Sequence, residues 1–441
     1  MIKTLYEKWM EDRILMETGD KKLSEESLKL YQLGEIRKTI NLAKRSKFYG
    51  EILKNIYSDK LKEFEDLKKV PFTTSDDLAK KPKSFLCTTL DQISRIVTMT
   101  SSGTTGNPKR IFFTKNDLKA TSDFFKYGML NIVIPGQRVL ILMPGKSTHS
   151  IGQLLKEGLN EAGCEAIIYG PVFNVWDALE TIKSKNIDCI VGLPTQVFYL
   201  AKIKLTDVRY KYLKLQSVLL SGDYVPRTLC SAVSSAFSCQ VFTHYGMTEM
   251  GYGGGVECSA INGYHMRDVD LYTEIIDPVT GRNVKEGSYG EVVITTFRRE
   301  AMPLIRYRTG DIARLLPKNC SCSNIFKRMD YVKGRVNEYL KLKDGKLLSI
   351  GMIDEVMFGI DNVLDYTASI NDGENRVLSI SVKPVNPQIP IKFNNIKNCI
   401  KQDKYLGLLI ENNNISIEFG GLLNNIEISN GMIKRKLYRL N

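Results

Sequence analysis

An unbroken apolar run of about 18 residues is missing from the sequence, so no segment reads as a membrane-spanning helix. A secretory leader is missing too: the opening MIKTLYEKWMEDRILMETGD mixes acidic, basic and apolar residues at helical spacing, and reads as a mature, cytoplasmic amino terminus. No repeat of solenoid period and no long low-complexity linker occurs. The Gly/Ser/Thr run at 100–109 has no Gly-Lys-Ser/Thr opening a helix, so it is not the mononucleotide P-loop pattern. The nine cysteines lack framework spacing; Cys87, Cys164, Cys189, Cys230, Cys239 and Cys399 stand singly in apolar stretches and read as free thiols in a reducing compartment. The formal net charge is +13, but the lysines are dispersed and no basic tract is interleaved with stacking aromatics. That argues against a nucleic-acid partner and for a solvated Lys-rich surface whose field favours phosphate-bearing ligands. His149 and His244 have no spaced nucleophile, so no hydrolase triad is read.

What is present is enough apolar residue, 43% of 441, to bury a large core in more than one structural unit. Residues 1–95 read as mostly helical, with Thr74 or Ser75 as candidate cap of a helix beginning near Asp76. From about residue 137, short apolar runs at 139–143, 166–169, 189–192, 218–220 and 241–243 alternate with amphipathic segments such as 150–163. Such alternation means a parallel α/β sheet. After residue 256 the pattern turns to hairpins, as in 272–296, and the tail from about 336 mixes short strands such as 377–382 with helices such as 351–360, a small α+β domain.

The sharpest local feature is Thr100-Ser101-Ser102-Gly103-Thr104-Thr105-Gly106-Asn107-Pro108-Lys109, directly after an apolar run. Glycine lets the main chain approach phosphate oxygens, the hydroxyls and N–H groups donate to them, and Lys109 adds a mobile positive charge. Further motifs follow in order: Ser221-Gly222-Asp223 after an apolar strand, Tyr245-Gly246-Met247-Thr248-Glu249, Tyr307-Arg308-Thr309-Gly310-Asp311, and Gly334-Arg335-Val336-Asn337-Glu338. This set resembles the adenylate-forming superfamily of acyl-CoA synthetases, peptide-synthetase adenylation domains and luciferases. Val70-Pro71-Phe72-Thr73-Thr74, Glu257-Cys258 with Gly263-Tyr264-His265, and the run Glu300 to Thr309 resemble the phenylacetate-CoA ligases in particular.

The resemblance implies a large, multi-lobed AMP-binding domain, residues 1–333, with parallel α/β sheets and a β-rich segment, and a mobile α+β domain, residues 334–441, joined by a hinge. It implies two half-reactions: a carboxylate attacks the α-phosphate of ATP to give acyl-AMP and pyrophosphate, and the CoA thiol then displaces AMP. Residues 100–106 and Lys109 are expected at the phosphates, Ser221, Gly222 and Asp223 at adenine, Tyr245 and Gly246 among the nucleotide-binding residues, Asp311 at ribose, and Arg335 at ribose or phosphate. Thr248 can hydrogen-bond the α-phosphate, and Glu249 is a hard oxygen ligand suited to Mg²⁺.

Two positions depart from the family pattern. Met432 stands where a lysine bridging substrate carboxylate and α-phosphate is expected, and a thioether supplies no positive charge; losing such a contact typically costs roughly 10²–10³ in rate. Lys434 is the candidate replacement, its alternative being a solvated tail lysine. Asn337 replaces the usual hinge Asp and tolerates unusual backbone angles nearly as well. Cys258, His265, Cys320 and Cys322 make a closed zinc set or four unrelated residues; some phenylacetate-CoA ligase-like proteins carry Cys and His at matching places, which favours a structural Zn²⁺.

The resulting expectation is an AMP-forming acid–CoA ligase acting on an aryl or other small hydrophobic carboxylic acid with ATP, Mg²⁺ and CoA, as a monomer or homodimer. The alternatives are adenylation with transfer to another acceptor, and a nucleotide-binding protein weakened by Met432.

Overall fold

The structure is a computed structural model and describes residues 3–99, 108–317, 320–322, 325–342, 344–371, 376–412, 415–423 and 435–440. The chain packs as two compact units: the first is Met1–Gly136, Gly145–Ala166 and Phe242–Val332, the second Gln137–Pro144, Ile167–Val241 and Lys333–Asn441. No helix among the described residues is long and apolar enough to cross a membrane.

In the first unit, helices Leu5–Thr18 and Glu25–Ala43 each begin on a hydroxyl cap, Thr4 accepting from the Glu7 N–H and Ser24 from the Ser27 N–H. Thr74 is the cap of the short helix Ser75–Lys80. Helix Ile151–Glu161 buries Leu154, Leu155 and Leu159 and packs on Lys115–Met129. The approach is close because Gly158 has no side chain: a Cβ there would stand 2.7 Å from the Ser122 carbonyl oxygen.

The expected hairpin forms between Leu271–Ile276 and Gly290–Thr296, and Tyr307–Ala313 adds a third antiparallel strand. A second antiparallel set runs from residues 244–245 through Gly255–Val256 and Tyr264–Met266 to Arg328–Met329 and Leu315–Leu316. Thr73 lies against the strand Tyr307–Ala313: its N–H donates to the Arg306 carbonyl at 3.1 Å and its carbonyl accepts from the Arg308 N–H at 2.9 Å. Two of the motifs read from the sequence are thereby stitched together.

In the second unit, strands Arg138–Ile141, Cys189–Gly192 and Ser217–Leu220 pair in parallel. Helices Val175–Ser184 and Pro194–Thr206 lie between them in the chain and Arg227–Phe237 follows the last, which is the α/β pattern that the alternation predicts. The tail forms an antiparallel pair, Val363–Asn371 with Val377–Pro384, that Ser416–Leu422 and Tyr438–Leu440 join in parallel.

One apolar core runs through this unit, with Leu140, Ile190, Phe198 and Val218 in the same cluster as Ile353, Phe358, Val382 and Leu406. Polar ties accompany it. The Glu355 carboxylate accepts from the Arg227 N–H at 2.9 Å and from the Tyr224 hydroxyl at 3.0 Å, at the start of a helix with no side-chain cap of its own. Arg435 donates to Asp354 at 2.9 Å and to Asp365 at 2.6 Å. The packing thus groups Lys333–Asn441 with Gln137–Pro144 and Ile167–Val241, whereas the resemblance implies a division at 333/334.

Candidate functional site

Within the first unit, the residues Tyr245 to Glu249 leave their strand through a turn that only this sequence of small and polar residues permits. The 3₁₀ turn Thr248–Met250 ends on Gly251 at φ 75°, and Tyr252 (φ 64°) folds back so that its N–H donates to the Met247 carbonyl at 2.9 Å. The returning chain passes directly over Gly246, where a Cβ would stand 1.9 Å from the Tyr252 carbonyl oxygen and 2.6 Å from His244 Cε1. Gly246→Ala is therefore expected to open this turn and lower nucleotide affinity at least about tenfold, checked by calorimetric titration with ATP.

That turn points Glu249 inward. Its carboxylate is 4% exposed. Oε1 accepts from Lys109 Nζ at 2.6 Å and from the Tyr307 hydroxyl at 3.0 Å. Burial by itself would raise the Glu249 carboxyl, but the Lys109 ammonium beside it, helped by Tyr307, holds it below its ordinary value. A hard-oxygen carboxylate that stays charged while buried, and already faces a cation, fits a Mg²⁺ ligand.

A second carboxylate is held the same way. Tyr245 donates from its hydroxyl to Asp311 Oδ2 at 3.0 Å, while the Asp311 N–H donates to Thr309 Oγ1 at 3.0 Å. Gly310 at φ 79° sits where the register of strand Tyr307–Ala313 shifts against Gly290–Thr296, an irregularity directly before Asp311. The flanking arginines belong to the scaffold: Arg306 pairs with Glu274 at 2.9 Å and Arg308 with Glu291 at 2.9 Å.

His244 precedes this motif and packs against Phe124 at 5.7 Å between ring centroids. Burial, with Arg267 adding to it, pushes its imidazole down from 6.5 to about 4. The folded state thus binds fewer protons than the unfolded chain, so this contribution to stability is complete above pH 6.5 and is lost as pH falls toward 4. His244→Gln is expected to flatten the fall in melting temperature over that window, measured by calorimetry at a series of pH values.

The remaining predicted residues fall elsewhere. Ser221, Gly222 and Asp223 lie in the second unit, directly after the parallel strand Ser217–Leu220. The Ser221 N–H donates to the Gly192 carbonyl at 3.1 Å, and Gly222 turns at φ 95°. Arg335 also belongs to that unit and precedes the 3₁₀ turn Val336–Glu338 that contains Asn337. Residues 100–107, Met432 and Lys434 lie outside the described residues.

A separate cluster forms at the far end of the antiparallel set. Cys258, His265, Cys320 and Cys322 present ligand atoms all within 4.8 Å of one another. Cys258 Sγ lies 3.7 Å from Cys320 Sγ, and Cys322 Sγ lies 3.5 Å from His265 Nε2. Metal–sulfur bonds of about 2.3 Å and metal–nitrogen bonds of about 2.0 Å give tetrahedral edges of about this length, whereas a disulfide needs about 2.05 Å. The Cys322 and His265 side chains pull the Cys258 thiol well below its ordinary value, toward the ligand form. Behind the ring, His265 Nδ1 faces Glu7 Oε1 at 3.9 Å, a carboxylate placed as metal-bound histidines commonly have one.

Sequence reading left Tyr307 and Glu7 without roles. Tyr307 was reachable, since it sits inside a recognised motif, but Glu7 is 258 residues from His265 and no local signal connects them.

Comparison with known proteins agrees with this arrangement. The family model described as "AMP-binding enzyme" matches residues 39–297, more than half of the chain. The phenylacetate-coenzyme A ligase of Thermus thermophilus is 27% identical over 358 residues, covering 78% of each chain. That of Pseudomonas putida is 28% identical over 315 residues, covering 68% of each. The fold is similar to that of a 2-hydroxyisobutyryl-CoA ligase solved with 2-HIB-AMP, with a TM-score of 0.78 at 17% identity over 90% of this chain and 86% of that one. Motif order, the paired carboxylates and the matched span lead to one conclusion: the chain belongs to the AMP-binding enzyme family, among adenylate-forming enzymes similar to phenylacetate-coenzyme A ligases.

Proposed function

We propose that this protein is an ATP-dependent acyl-CoA ligase that forms an acyl-adenylate from an aryl or other small hydrophobic carboxylic acid and transfers the acyl group to CoA. The observation that carries the reading is the pair of buried carboxylates, Glu249 and Asp311, each held by a tyrosine hydroxyl at 3.0 Å in a family member. An aryl acid is supported by similarity to phenylacetate-coenzyme A ligases at 27% and 28% identity, and a solved neighbour at a TM-score of 0.52 is an anthranilate CoA ligase.

In this reading Asp311 accepts both ribose hydroxyls, which fixes the nucleotide for in-line attack by the substrate carboxylate on the α-phosphorus. Thr248 donates to an α-phosphate oxygen, and the loop 100–106 with Lys109 takes the departing pyrophosphate. Ser221, Gly222 and Asp223 receive adenine, and Arg335 reaches ribose or phosphate. Glu249 would hold a Mg²⁺ ion, which would supply charge neutralisation to the phosphate oxygens. The segment 334–441 then rotates about Arg335-Val336-Asn337 so that the CoA thiol attacks the acyl carbonyl and AMP leaves. Lys434 takes the place of the lysine that Met432 replaces. Cys258, His265, Cys320 and Cys322 would hold a structural Zn²⁺ as a closed four-ligand set with no open position for catalysis.

The test is pyrophosphate release with Mg-ATP across aryl, arylacetic and short aliphatic acids, with and without CoA, and mass spectrometry of the product. Release that depends on one acid, with its acyl-CoA detected, is the expected result. ATP binding with no release for any acid would overturn the ligase reading in favour of a weakly catalytic nucleotide binder, and Met432→Lys would then restore turnover. Release without an acyl-CoA product would move the acceptor from CoA to another molecule.

A further inference from the structure

Lys109 Nζ and Glu249 Oε1 stand 2.6 Å apart with side chains only 15% and 5% exposed. Burying such a pair is costly, because the desolvation of two charges offsets much of their attraction. Their positions make the cost informative. Lys109 directly follows the glycine-rich loop, and Glu249 is the carboxylate that fits a divalent cation. The other group on Glu249 Oε1 is a neutral phenol, that of Tyr307. Among the described residues, Lys109 therefore supplies the positive charge on the carboxylate that would bind the metal.

We infer that Lys109 is a resident counter-cation for Glu249, which disfavours divalent metal when no nucleotide is bound and exchanges places with it when nucleotide arrives. This rests on the proposed reading of Glu249 as the metal ligand. An ammonium and a divalent ion cannot share one carboxylate oxygen at contact distance, since like charges that close repel by several kcal/mol in a low-dielectric interior. Triphosphate resolves the conflict: its oxygens give the ammonium a new partner and add ligands for the metal, so metal and nucleotide enter together. Metal binding is thereby made dependent on nucleotide, and the lysine is delivered to the phosphates by the same exchange. Lys109 acts as a positioning residue through Glu249, in addition to contacting phosphate.

Mn²⁺ binding to nucleotide-free protein, followed by electron paramagnetic resonance, tests this. Wild type is expected to bind Mn²⁺ weakly, and Lys109→Met at least about tenfold more tightly, because the buried carboxylate is left without its partner. Lys109→Arg keeps the charge and should exclude the ion as wild type does, and adding Glu249→Gln to Lys109→Met should abolish the gain. A folded Lys109→Met protein with unchanged Mn²⁺ affinity overturns the inference. So does wild type that binds Mn²⁺ tightly without nucleotide and loses it on Glu249→Gln, an arm that needs no lysine variant to fold. Lys109→Gln serves as a second neutral variant. Calorimetric ATP binding by wild type is measured alongside: its failure would strike the proposed function, while the Mn²⁺ series decides the role of Lys109.

Discussion

Glu249→Gln is expected to lower the rate of acid-dependent pyrophosphate release by roughly 10²–10³-fold while leaving the protein folded. The amide keeps the shape of the side chain and an acceptor for the Tyr307 hydroxyl, which lies 3.0 Å from Oε1, but removes the charge. The loss should therefore appear in the adenylation rate and in the Mg²⁺ concentration needed for half-maximal activity, both measured below the melting temperature of the variant. Lys109, deprived of its partner at 2.6 Å, would be left as an uncompensated cation in a site 15% exposed at that side chain. That cation should favour phosphate, so ATP binding without metal should be preserved or tightened even as turnover falls. Rate loss accompanied by unfolding, or full activity in the variant, would place the essential charge elsewhere.

Loss of metal at the thiolate cluster is expected to have the largest effect on stability. Structural zinc contributes apparent binding free energies of about 10–16 kcal/mol in small domains, as much as the whole net stability of many proteins. Here the ligands come from residues 258 and 265 on one side and 320 and 322 on the other, and they close a loop that contains the three-stranded sheet with Asp311. Cys320→Ser should abolish stoichiometric zinc in elemental analysis and lower the melting temperature by about 10 °C or more. Excess chelator on the wild type should do the same at a rate limited by opening of the site. Glu7→Gln should give a smaller loss of zinc affinity, about tenfold, through His265. Undiminished stability in a zinc-free Cys320→Ser protein would mean that the four side chains meet without holding a metal.

Much of the architecture was legible because its signals are local. The apolar runs at 139–143, 189–192 and 218–220 bounded by Gly, Pro or Asp became the parallel strands Arg138–Ile141, Cys189–Gly192 and Ser217–Leu220. The chemistry of residues 245–249 and 307–311 was legible for the same reason: hydroxyls, glycines and carboxylates at fixed spacing fulfil their roles within a few residues of one another.

Thus the residue pattern by itself determined the α/β class, the helix caps, the motif order and the chemical types available to nucleotide and metal. Tertiary structure alone decided which groups meet. It paired Tyr307 with Glu249 and Tyr245 with Asp311, put Lys109 on the Glu249 carboxylate, set Glu7 behind His265, and joined the tail to the parallel strands in one apolar core. The reason is physical. Secondary structure and turns follow from dihedral preferences and periodicity that extend over a few residues, whereas a buried charge finds its partner through packing between segments hundreds of residues apart, which no local periodicity encodes.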